Sequence, residues 1–251
     1  MRMADKIQGM LASLPVNSRK IQRSLMADMT MRFLSYPIKK RMPVYGKANK
    51  NLEITPVKSL DKGDSYNVFK VNIENHFGTH VDCPAHFFKN GLRVNDYPAE
   101  TWFFQSPFVL HLELRENQLV MPEDLSNNIP VGIDLLLIKS GFYRFRSSKR
   151  YSNYNPGFAE ETGKWLRATY PSVRAIGFDF ISLSSYQNRE EGRKAHHAFL
   201  NPKGINIPIL IIEDMDLSGD LSGLSSVWIL PLRIDGLDSS PCTVIGKFEG
   251  T

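Results

Sequence analysis

Apolar positions along this chain follow two rhythms. Residues 66–73 alternate and are rich in β-formers, which predicts a strand. Residues 108–114 and 133–138 read the same way, and 173–178, 207–212, 227–232 and 242–247 are short apolar runs of strand length. The helical rhythm appears in residues 158–170, where Phe158, Thr162, Trp165 and Leu166 share one face behind the turn Tyr154-Asn155-Pro156-Gly157. Residues 187–200 predict a second helix, weakened by Gly192. Residues 1–27 form an N-terminal extension with Ile7, Met10, Leu11 and Leu14 at helical spacing until Pro15 stops the pattern. Its apolar stripe is expected to pack on the same domain or on a sister subunit. Strands dominate with helices interleaved, so residues 28–251 predict a single mixed α/β domain.

Composition narrows the class. The 251 residues, 42% of them hydrophobic and 23% charged, can bury a large core without disulfides or structural metals. No apolar run approaches the ~18 residues of a membrane span. The net charge of +5 is spread out, with small clusters at Lys39-Lys40-Arg41 and from Arg144 to Arg150. That is too sparse for a nucleic-acid face and leaves room only for a weak preference for anionic small molecules. Cys83 and Cys242 lie far apart with no Cys-x-x-Cys pair, and Met1 to Leu14 lacks a clean apolar signal-peptide core. The expectation is a cytoplasmic protein with both thiols reduced.

Three of the six histidines fall in eleven residues, His76-Phe-Gly-Thr-His80-Val-Asp82-Cys-Pro-Ala-His86. Gly78, Thr79, Val81 and Pro84 disfavour a helix there. In an extended chain, His76, His80, Asp82 and His86 all point to one side. His80 and Asp82 would stand ~6.6 Å apart at Cα, close enough to chelate one ion, whereas His76 would be ~13 Å from His80 on a straight strand. Gly78 can bend the chain and bring His76 in, and Pro84 ends the strand, placing His86 beyond a turn. Imidazole and carboxylate are ligands for zinc, manganese or iron. Downstream, His196-His197 follow a charged run, and Glu213 closes the apolar run 207–212. A carboxylate there is expensive to bury unless paired or metal-bound.

The run His76-Phe-Gly-Thr-His80-Val-Asp82-Cys-Pro-Ala-His86-Phe87 resembles the signature of the cyclase family of metal-dependent hydrolases, which includes kynurenine formamidases and isatin hydrolases. The likeness extends through Leu34-Ser-Tyr-Pro37, Leu137-Ile-Lys-Ser-Gly-Phe142, Ile176-Gly-Phe-Asp179, Ala195-His-His-Ala-Phe-Leu200 and Ile211-Ile-Glu213, roughly residues 28 to 248. The resemblance implies a swivelling β/β/α domain with a central barrel-like sheet, assembled as a homodimer or homotetramer. It implies one divalent ion on His76, His80 and Asp82, and a second on Asp82, His196 and Glu213, zinc or manganese in kind. It makes His86 the general acid or base. His197, beside His196, is the other candidate for the second ligand histidine. Residues 201–204 look inserted, and Cys242-Thr243 replaces the usual basic residue after Ser-Pro.

The expected reaction is hydrolysis of a carbon–nitrogen bond in a small formamide, amide or lactam. Phe87, Phe88, Trp102, Phe103 and Phe104 either line a pocket for an aryl substrate or serve as core or interface aromatics. Two rivals stand beside it. His80, Asp82 and His196 also match the two-histidine, one-carboxylate triad of a non-haem iron oxygenase. A catalytically silent metal-bound binding protein would use the same residues.

Overall fold

The computed structural model describes residues 29–46, 52–126 and 128–250, so the helical spacing expected in residues 1–27 lies outside them. The strands are β1 (Met29–Phe33), β2 (Glu53–Lys58), β3 (Val68–Asn72), β4 (His80–Asp82), β5 (Phe103–Phe104), β6 (Pro107–His111) and β7 (Leu119–Val120). They continue as β8 (Leu135–Lys139), β9 (Gly157–Phe158), β10 (Ala175–Phe178), β11 (Leu210–Glu213), β12 (Leu224–Pro231) and β13 (Ser239–Glu249). The helices are α1 (Pro122–Leu125), α2 (Lys149–Asn153), α3 (Glu160–Thr169) and α4 (Arg189–Leu200).

One sheet organises the molecule, in the order β5-β12-β13-β4-β11-β10-β8-β6, with β1 added on β13. β12 comes close to β6 across the open side, so the sheet is nearly closed into a barrel. β6, β8, β10 and β11 pair in parallel, while β4 is antiparallel to both β11 and β13. The parallel strands are continuous aliphatic runs because both of their faces are covered. Leu135, Leu137, Leu210 and Ile212 point into the barrel with Val81, Phe104, Val227 and Ile229. Leu136, Ile138, Ile176 and Ile211 point outward, under a layer that includes Leu166 of α3 and Phe199 of α4. Each such side chain contributes about 1.5–3 kcal/mol by burial.

The expected elements form with shifted ends. Pro208 has no amide hydrogen to give the ladder, and β11 starts at Leu210. Gly192 does not interrupt α4; a Cβ there would collide with Ser184, so glycine lets the helix sit against that loop. β3 forms within the alternating run 66–73, yet among the described residues it pairs only with β2, and both strands are exposed along their whole length. Cys83 and Cys242 are both free and buried. No helix among the described residues is long and apolar enough to cross a membrane.

Candidate metal centre

β4 places the first donors. Its central position between β11 and β13 buries the strand, and its alternation sends Val81 into the barrel core while His80 and Asp82 face the other way. Register then recruits the second cluster, because Glu213 on β11 lies directly opposite His80. Gly78 makes the bend that sequence spacing required. Its φ of +70° is a left-handed conformation that side-chain-bearing residues rarely adopt. The bend folds His76 back until its Nδ1 is 3.1 Å from Asp82 Oδ1 and its ring centroid 5.1 Å from that of His80. Pro84–His86 form a single 3-10 turn after the strand, which carries His86 to within 4.2 Å of His76, ring to ring.

The rings are oriented by main-chain carbonyls. His80 Nδ1 donates to Gly78 O at 2.8 Å, and His196 Nδ1 donates to Gly192 O at 2.8 Å. Both Nε2 atoms are thereby turned inward: His80 Nε2 is 3.4 Å from Glu213 Oε2, and His196 Nε2 is 3.7 Å from Glu213 Oε1 and 3.9 Å from Asp82 Oδ2. Glu213 Oε1 accepts from the Leu183 amide at 2.7 Å and from Ser182 Oγ at 3.1 Å. α4 turns His196 inward, stacked on Phe87, and His197 outward against the edges of Phe87 and Phe88. Of the two adjacent histidines, His196 is therefore the one beside the cluster.

His80 Nε2 and Asp82 Oδ1 are buried with no hydrogen-bond partner, the 3.1 Å approach of His76 falling outside hydrogen-bond geometry. Burying such atoms unpaired is costly, and two imidazoles with two carboxylates are a donor set for a divalent metal. His76, His80 and Asp82 bring ligand atoms within 4.8 Å of one another, as do Asp82, His86 and His196. The residues present fit a bound ion. The electrostatics agree: burial alone would raise Asp82, but the neighbouring His76 and His80 hold it well below the usual carboxylate range. Burial lowers His76, yet Asp82 and Asp238 outweigh it and push the imidazole up to about 10.

The cluster floors a cavity of about 300 Å³ whose apolar wall includes Pro43, Val44, Phe87 and Ile181. Of the aromatics that follow the histidine motif, only Phe87 lines it. Phe88 packs on the outer core, Trp102 and Phe104 are buried in the barrel core, and Phe103 stacks on Trp228.

Three residues of the site received no role from the sequence. Asp238, in the turn before β13, accepts from His86 Nδ1 at 2.9 Å and stands 3.8 Å from His76 Nε2. It sits among turn-forming residues 152 positions from His86, where nothing marks it. Asp214 was visible only as the residue after Glu213. It is fully buried at a φ of +53°, and Arg146 and Tyr151 both donate to its carboxylate. Thr79 Oγ1 donates to its carbonyl, tying the end of β11 to the start of β4.

A family model for putative cyclases matches residues 33–185. The chain belongs to the putative cyclase family. The sequence resemblance and the mixed α/β fold with its barrel-like sheet are thus borne out. Cyclase-like protein 2 of Oryza sativa subsp. japonica is 27% identical over 219 residues, covering 84% of this chain and 77% of that protein. Kynurenine formamidase of Bacillus thuringiensis subsp. konkukian is 24% identical over 189 residues, 75% of this chain and 84% of that protein. The solved isatin hydrolase A of Labrenzia aggregata, bound to benzyl benzoate, shares the cyclase fold with a TM-score of 0.71 at 16% identity, over 94% of this chain and 100% of its own.

Proposed function

We propose that this cyclase-family chain is a metal-dependent hydrolase that cleaves a carbon–nitrogen bond in a small formamide, amide or lactam. The observation that carries the reading is the convergence of His80 Nε2 and Asp82 Oδ1, buried without a hydrogen bond among the described residues, with His76, His196 and Glu213 on one cavity floor. His76, His80 and Asp82 would hold one zinc or manganese ion, and Asp82, His196 and Glu213 a second. When bound, such an ion supplies Lewis-acid polarisation of a carbonyl and a water whose pKa falls from 15.7 to about 7. The relatives named kynurenine formamidase and isatin hydrolase support this class of chemistry.

The chain's own contribution is proton management and placement. Asp238 accepts the Nδ1 proton of His86, which leaves Nε2 as the free ring nitrogen on the cavity. Burial lowers the His86 pKa, so the ring is neutral at pH 7 and ready to accept a proton. His86 takes a proton as water adds to the carbonyl carbon, and Asp238 stabilises the imidazolium that forms. The ring then returns the proton to the departing nitrogen as the carbon–nitrogen bond breaks. Phe87 and Ile181 exclude water around the acyl group. An oxygenase triad of His80, Asp82 and His196 would leave His76, His86 and Glu213 without a task.

Two free buried thiols support a reducing, cytoplasmic setting. Exposed apolar residues on the β2–β3 hairpin support a homo-oligomer. The deciding experiment is elemental analysis of tag-free protein, followed by a formamide, lactam and ester panel. The reading expects about one to two equivalents of zinc or manganese per chain and turnover of at least one carbon–nitrogen substrate. No metal, and none taken up on addition, would overturn it. Stoichiometric metal with no turnover would favour the silent binding protein.

A further inference from the structure

The two basic clusters that stood apart in the sequence meet in the fold. A cleft of about 570 Å³ lies between residues 39–44 and the segment leading into α2. Lys39 and Arg41 come from one cluster, and Arg146 and Lys149 from the other, with three serines between them. Among the described residues no carboxylate lines the cleft. Arg146 is already paired: it donates twice to Asp214, at 2.9 and 2.6 Å, and its guanidinium stacks 3.7 Å above the Tyr36 ring. Lys39, Arg41 and Lys149 form no ion pair among the described residues. Three uncompensated like charges in one concavity repel one another and focus a positive potential into it.

The cleft is fixed to the metal centre in two places. Met42 packs over Gly78, where a Cβ would meet its Cε at 3.1 Å, so the loop carrying Lys39 and Arg41 rests on the bend that places His76. Arg146 reaches the cleft from Asp214, the residue after Glu213. Pro43 and Val44 line the cleft and also the metal cavity, so they form the only step between the two among the lining residues described.

We propose that this cleft is a subsite for an anionic group of the substrate, a carboxylate or a phosphate, on an arm that crosses Pro43 and Val44 from the metal cavity. The proposal rests on the hydrolase reading for its reaction but not for its binding. It narrows the substrate class to small acyl-nitrogen compounds that carry a negative charge away from the scissile bond. Lys39, Arg41 and Lys149 supply the charge, and the Ser147 and Ser148 hydroxyls supply neutral donors.

The test uses a neutral aryl formamide and two relatives bearing a short carboxylate or phosphate arm. In the wild-type protein at low salt, kcat/KM should favour one armed compound by at least about tenfold, and the preference should shrink as sodium chloride is added. The better arm identifies the anion. The Arg41→Gln, Lys149→Gln double variant changes two exposed side chains and should bring the ratio to within about threefold of unity through KM. A wild-type ratio of one, or a ratio that survives in the double variant, overturns the subsite while leaving the hydrolase reading intact. If none of the three compounds is hydrolysed, the hydrolase reading is judged on its own metal analysis and wider substrate panel, and calorimetric titration with inorganic phosphate decides the cleft. Binding that the double variant loses supports an anion site, and no binding overturns it.

Discussion

β3 and β4 follow one another in the chain, and the fold treats them in opposite ways. β3 lies in the run with the better strand composition, and among the described residues it pairs with β2 alone, leaving Phe69 and Val71 more than half exposed. β4 is three residues long, two of them His80 and Asp82, and it is flanked on both sides and buried throughout. Alternation therefore reports that a strand forms. Whether the strand is enclosed depends on partners drawn from distant sequence, here β11 and β13. The hairpin presents both of its strands to solvent, while the enclosed strand gathers titratable groups whose partners lie on distant elements.

The contrast can be broken most sharply at its buried pole. Asp82→Ala removes the carboxylate shared by the two proposed ion sites, so metal content should fall to background and turnover by at least about a thousandfold. Elemental analysis of the folded variant with a rate measurement checks both. His86→Ala should keep its metal and lose about 100- to 10,000-fold in kcat; loss of metal would make His86 a ligand. Asp238→Asn keeps the shape but leaves His86 without its carboxylate partner, and about 10- to 100-fold should disappear from kcat with metal retained.

A subtler effect is the pH profile of metal-free protein. Asp238 is held down at about 2, chiefly by the neighbouring His76 imidazole and then by the hydrogen bond from His86. That stability is present above its ordinary pKa of ~4 and lost as pH falls through the folded value. His76 is raised to about 10, so its share is complete below ~6.5 and lost as pH rises through the folded value. Thermal stability of the metal-free protein should be highest between those limits and fall on the alkaline side. Metal should cancel the alkaline loss, because its ligands bind deprotonated. An alkaline limb that is flat without metal would contradict the His76 shift. Smallest of all, Phe69→Ser on the hairpin should change the stability of the isolated chain by less than about 0.5 kcal/mol. The same variant should lower the assembled mass in light scattering if the hairpin lies in a homo-oligomer interface.

Much of the site was legible because its first half is local. Parity put His80 and Asp82 on one side, and the glycine bend and the proline stop allowed His76 and His86 to turn toward them, as the chain does. The choice between His196 and His197 was not legible, since it depends on how α4 rotates against Phe87. Asp238 was invisible because its role is set by pairing between strands far apart in sequence. The aromatic run after the motif left both readings open, and the structure divides it: Phe87 lines the cavity, while the barrel interior claims Trp102 and Phe104. Elements such as β8, β10 and α3 were legible from their apolar rhythm, whereas the near-closure of the sheet was not, because no local pattern encodes which strands become neighbours.

The donors also differ in how far the chain must travel to assemble them. His76, His80 and Asp82 are complete once Gly78 turns, whereas His196 and Glu213 lie more than a hundred residues downstream and wait for α4 and the β4–β11 register. Closing the short loop costs little entropy, and closing the long one costs more and needs the finished sheet. During synthesis the first half-site leaves the ribosome well before the second exists. The β4–β11 register is therefore the last joint to close, and until Glu213 comes opposite His80 the cluster is incomplete.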